Sequence, residues 1–136
     1  MKKQYWLVKS EPHVYSYADL VREGTVRWDG VRNFQARNNL RAMKRGDLVL
    51  VYHSQTDKAV VGIAEVVGEH YPDPGDETGH FSVVDLGPKR ALKKPVALAA
   101  IKGTPALEDI GLIRQSRLSV MPVTQAEFDA ILELGA

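Results

Sequence analysis

The residues best suited to chemistry lie between Trp28 and Ser54, in the stretch WDGVRNFQARNNLRAMKRGDLVLVYHS. From Val31 to Gly46 it carries Arg32, Arg37, Arg41, Lys44 and Arg45 with no carboxylate among them. The net charge of the whole chain is only +1, so this is a local basic patch on a nearly neutral protein. Trp28 stands just ahead of the cations, and Asn33, Gln35, Asn38 and Asn39 are interleaved with them. An aromatic face stacks on a base, an amide reads a base edge and a guanidinium neutralises phosphate, so the combination suits a nucleotide. A solvated helix face would normally mix charge signs.

Other groups are less organised. Ser10-Glu11-Pro12 closes an apolar strand, where a carboxylate can accept a hydrogen bond from an exocyclic amine such as cytosine N4; a plain ion pair for Glu11 is the competing reading. His53 and Ser54 end a second strand, and with Glu11 they raise the alternative of a nuclease or small hydrolase. No G-x-S-x-G elbow accompanies them, and His13, His53, His70 and His80 are scattered without a ligand motif, so neither a metal nor a cofactor is expected. Asp73, Asp76 and Glu77 lack the spacing of a calcium loop and read as a solvated turn.

These groups need a frame. The 136 residues are 44% hydrophobic and 26% charged, which fits one globular domain spanning 1–136. With no cysteine, no signal-like amino terminus and no run of the ~20 apolar residues needed to span a membrane, a cytoplasmic protein is expected. The oligomeric state has no signature.

Strands are expected at Gln4–Lys9, Asp47–Ser54, Ala59–Glu69, Phe81–Leu86 and Leu118–Val123, with Leu92–Leu98 a bulged or edge strand because of Pro95. Trp6 belongs to the core of the first strand. Gly62 and Gly68 suggest bends where a sheet curls. Ser16 and Asp19 form a capping box, and Gly24 ends that helix. Asn33 caps a helix from Phe34 to about Lys44, with Ala36, Leu40 and Met43 as its buried stripe. Short helical turns are expected at Leu98–Lys102 and Thr104–Ile110. Thr124 and Glu127 open a last helix that Gly135 closes. Without βαβ alternation this is an α+β domain on a strongly bent or partly closed sheet.

The ordered blocks YWLVKSEP (5–12), W-x-G-V-R-N-x-x-A-R-N (28–38), GDLVLVYHS (46–54), VGIAEV (61–66), YPD (71–73) and RLSVMPV (117–123) resemble the EVE domain, a PUA-like family related to YTH and ASCH domains. The resemblance covers nearly the whole chain. It implies a mixed pseudo-barrel sheet with surrounding short helices, and a non-catalytic module that reads a modified base, with a modified cytosine in DNA favoured over RNA. By matching position it assigns Lys9, Ser10, Glu11, Pro12, Trp28, Asn33, Asn38, His53 and Ser54 to a base pocket. Arg32, Arg37 and Arg41 are expected to hold phosphate. A nuclease and an RNA-binding accessory domain stay open as alternatives.

Overall fold

The computed structural model describes residues 3–136. Its elements are β1 (Tyr5–Ser10), α1 (Tyr17–Glu23), β2 (Val26–Trp28), α2 (Phe34–Ala42), β3 (Leu48–His53), β4 (Ala59–Pro72), β5 (Ser82–Ala97), α3 (Leu98–Lys102), a 3-10 turn (Pro105–Leu107), α4 (Gly111–Arg114), β6 (Val120–Val123) and α5 (Gln125–Leu134). The strands form one mixed sheet in the order β2-β5-β4-β3-β1-β6. Among the described residues only β1 and β3 run parallel, with Lys9 beside Tyr52 and Ser10 beside His53; the other pairs are antiparallel.

The central strands are apolar because both faces are covered. From Val49 to His53 every residue of β3 is buried, as are Trp6, Leu7 and Val8 of β1. Helix α2 contacts both β5 and β6, which lie far apart in the strand order. One short helix touches both only if the sheet curls around it. Its stripe of Ala36, Leu40 and Met43 is fully buried, and burying a side chain the size of Leu or Met contributes about 2 kcal/mol. Polar bonds fasten the same helix across the seam. Asn39 Nδ2 donates to the Val120 carbonyl at 2.7 Å, and Arg41 Nε donates to Ser82 Oγ at 2.9 Å. The expected pseudo-barrel with short helices is what the chain forms.

Curvature is set in β4 and β5. Register breaks fall at Val60/Gly62 and Val66/Gly68. A Cβ on Gly62 would lie 2.5 Å from the Tyr17 ring, so this glycine is where α1 is allowed to meet the sheet. Both capping boxes form, and Gly24 takes φ +83° past the end of α1. The helix from Asn33 ends at Ala42, two residues earlier than expected.

The main departure is β5. Two strands separated by a break were expected at Phe81–Leu86 and Leu92–Leu98, but Ser82–Ala97 is one strand running through Pro88 and Pro95. On its outer side β5 pairs with β2 only from Val84 to Leu86, so beyond that point it has no ladder partner there. Pro95 also lies in a bulge, between the pairs Gly62–Ala91 and Val60–Val96. A missing N–H is cheap at such places. No helix among the described residues is long and apolar enough to cross a membrane.

Candidate nucleic-acid interface

The end of β1 and the strand β2 face each other across a cavity of about 480 Å³. Its walls include Lys9, Ser10 and Glu11 on one side and Trp28, Gly30 and Arg32 on the other. Five expected site residues therefore converge. The local bonding explains why. After Pro12 the Glu11 carbonyl accepts from the N–H groups of Val14 (3.0 Å) and Tyr15 (2.8 Å), folding the chain back over the cavity. Ser10 Oγ donates to the Tyr15 carbonyl and fixes that turn. Tyr15 then meets Trp28 edge to face, with ring centroids 6.3 Å apart. Trp28 is half-buried, held by the pairing of β2 with Val84 of β5.

Lys9 lines the cavity from the end of β1. Its Nζ donates to the Ser116 carbonyl at 2.6 Å, and burial pulls its pKa below the ordinary value. Glu11 stays half-exposed, with His13 Nε2 at 3.9 Å as its nearest charge partner.

Arg32 and Gly30 are positioned by Asp73, a residue read from sequence as part of a solvated turn. That reading is corrected: Asp73 is 4% exposed. Its Oδ2 accepts from Arg32 Nη1 (2.9 Å) and the Gly30 N–H (3.2 Å), while Oδ1 accepts from the Gly75 N–H (2.8 Å). Burial opposes ionisation of Asp73, but Arg32 and the N–H groups of Gly75 and Gly30 outweigh it and leave the pKa low. Asp76 likewise accepts from the Thr78 hydroxyl and the N–H groups of Thr78 and Phe81. The Thr78 hydroxyl is the largest influence, and the pKa falls to about 2. The loop 73–81 is thus an internally bonded brace for the cavity's rim.

A pH dependence follows. Both carboxylates have folded pKa values below the ordinary 3.8. Their contribution is complete above that value and is lost as pH falls through the lowered folded pKa of each, about 2 for Asp76. In an NMR acid titration the Phe81 amide signal should move between about pH 4 and pH 2, and those of Gly30 and Gly75 should move only below the ordinary aspartate range. A Phe81 signal that stays fixed through its window would contradict the brace.

The other expected residues lie elsewhere. Pro12 sits in the turn and does not line the cavity. The Asn33 side-chain oxygen is spent on the Ala36 N–H at 2.9 Å as the α2 cap, so it is not free to read a base. Asn38 Oδ1 receives Nε and Nη2 of Arg37 at 3.0 and 2.8 Å on the outer face of α2. His53 is 7% exposed and engaged at both ring nitrogens. Nε2 accepts the Tyr17 N–H at 3.0 Å, so Nδ1 holds the proton and donates to Asp57 Oδ2 at 2.9 Å. It anchors the start of α1, and among the described residues its bonds go to Tyr17 and Asp57 rather than to Glu11. Ser54 lines a neighbouring cavity of about 550 Å³ that shares Lys9, Glu11 and Ser119 with the first.

Arg37 and Arg41 each donate to the His80 carbonyl, at 3.0 and 3.3 Å, and so tie α2 to the loop 73–81. Sequence reasoning missed Tyr15, Val14, Arg27 and Asp29 as cavity walls. The polar residues flanking Trp28 were the available signal for the last two. Tyr15 had none, because only the turn after Pro12 brings it back.

The EVE domain profile matches residues 4–134. The chain belongs to the EVE domain family. It is 35% identical to human thymocyte nuclear protein 1, over 96% of this chain and 73% of that protein. Among solved structures, a protein from Rhodopseudomonas palustris is 48% identical with a TM-score of 0.92, covering 97% of this chain and 92% of the other. The structure of human thymocyte nuclear protein 1 in complex with 5-methylcytosine-containing DNA is 36% identical with a TM-score of 0.88, covering 98% of each chain. The fold of this EVE domain is therefore that of its relatives, in agreement with a PUA-like architecture.

Proposed function

We propose that this EVE domain binds DNA and reads a modified cytosine, without catalysis, in the cavity between Glu11 and Trp28. The observation that supports it most is the juxtaposition in one cleft of an aromatic face, a half-exposed carboxylate and an arginine at the rim. A nucleotide taken out of its stack would lay its base on Trp28. Glu11 would accept from N4, and Ser10 borders the same edge. Val14, 73% exposed yet lining the cavity, offers an apolar contact for a C5 methyl group. Arg32, with Arg37 and Arg41 beyond it, would hold the phosphates. The human relative crystallised on 5-methylcytosine-containing DNA supports the choice of ligand.

Glu11→Gln tests the edge contact. It keeps the shape but places an amide that can donate where a carboxylate accepts. In anisotropy titrations, preference for cytosine-type bases over thymine-type bases should fall, while the dependence of affinity on salt stays the same. An equal loss for every base would leave Glu11 with a structural role only. The oligonucleotides should be recovered intact after incubation; cleavage would move the reading to a nuclease.

A further inference from the structure

Phe34, the first residue of α2, is 55% exposed, although neither helix capping nor core packing needs an aromatic there. It is held rigidly all the same. Its ring stacks on Phe81 with centroids 5.2 Å apart and an interplanar angle of 18°. The Arg37 guanidinium carbon lies 4.8 Å from the Phe34 centroid, and that of Arg32 lies 5.2 Å from the Phe81 centroid. Phe81 is fixed in turn by its N–H bond to Asp76 at 2.9 Å. Arg32 also lines the cavity, so this aromatic ladder starts at the cavity's rim and leads outward along the basic face.

We propose that Phe34 is a second base-stacking site, taking the base next to the one held in the cavity. This rests on the base-pocket reading above. A base supplies the flat π-face that an exposed, pre-positioned ring can stack with, and its phosphate suits the flanking guanidiniums. An apolar protein partner fits less well, because docking it would desolvate Arg37, which bonds only an amide oxygen and a carbonyl and has no carboxylate to compensate its charge. Phe34 thereby extends the contact from one nucleotide to a dinucleotide step.

The test uses short single strands carrying 5-methylcytosine, with each neighbour either a normal nucleotide or an abasic sugar that keeps its phosphate. The wild-type protein should bind the normal neighbour about tenfold more tightly than the abasic one, the scale of one stacked base. Phe34→Ala should abolish that difference while leaving the abasic strand's affinity and the modified-base preference unchanged. Phe34→Leu, which keeps apolar packing on Phe81 but has no π-face, should behave the same way, and Phe34→Trp should retain the difference. An equal loss on both strands, or no discrimination by the wild-type protein, overturns the proposal. If the modified-base preference is absent but neighbour discrimination still depends on Phe34, the cavity reading fails and the stacking site stands.

Discussion

Replacing Trp28 by Ala should weaken binding of a cytosine-containing oligonucleotide by roughly one to two orders of magnitude, the equivalent of the ~1–3 kcal/mol that one base gains on an aromatic face. The domain should stay folded. Trp28 is half-buried on a three-residue edge strand, so its loss should cost less than the ~3–5 kcal/mol typical of a fully buried aromatic. Trp28→Phe should recover most of the affinity, since the flat face and the edge contact with Tyr15 both survive. Isothermal titration beside a thermal melt separates the two effects. A large fall in melting temperature with unchanged affinity of the folded fraction would make Trp28 a core residue and empty the cavity of its platform.

A second large effect is expected far from the cavity, at Asp47. This carboxylate is 3% exposed and lies where β1, β3 and the end of α2 meet. Oδ2 accepts from Trp6 Nε1 at 3.0 Å and the Lys44 N–H at 2.9 Å, and Oδ1 accepts from the Gln4 N–H at 3.1 Å. Asp47→Ala orphans three donors, of which the buried indole N–H is the most costly, at ~1–3 kcal/mol for one unsatisfied buried group. The total should reach about 3 kcal/mol, a large share of the ~5–15 kcal/mol that holds a typical domain together. The melting temperature should drop on the order of 10 °C. Asp47→Asn should cost less, because one oxygen can still accept. A change within ~0.5 kcal/mol for Asp47→Ala, the range of ordinary surface substitutions, would contradict the keystone role.

The two residues also show what the sequence made legible. Features written in neighbouring residues were readable. The capping boxes at Ser16 and Thr124, the Asn33 cap, the stripe of Ala36, Leu40 and Met43 and the glycine bends of β4 all depend on local spacing. Glu11 at a strand end and Trp28 among polar neighbours were each legible locally, and the family resemblance put them in one pocket. What escaped depends on partners distant in the chain. Asp73 looked like a solvated acid because its cation, Arg32, is 41 positions away. Asp47 showed no sign of its bond to Trp6. The continuity of β5 was hidden because two prolines signal a break unless the strand's free side is known. Asn33, Asn38 and His53 have residue types suited to a site, but the side-chain oxygens of the two asparagines are committed to a helix cap and to Arg37, and both ring nitrogens of His53 to Tyr17 and Asp57. Residue type marks candidates, and hydrogen-bond accounting decides which remain free.

The most direct measurement compares two DNA oligonucleotides that are identical except for one methyl group on C5 of a single cytosine. One methyl group moved from water to an apolar contact is worth ~0.8 kcal/mol, so the wild-type protein should bind the methylated strand about fourfold more tightly, at low and moderate salt alike. Trp28→Ala should erase that preference. Equal dissociation constants for the two strands at both salt concentrations would contradict modified-cytosine reading and leave only charge-driven binding.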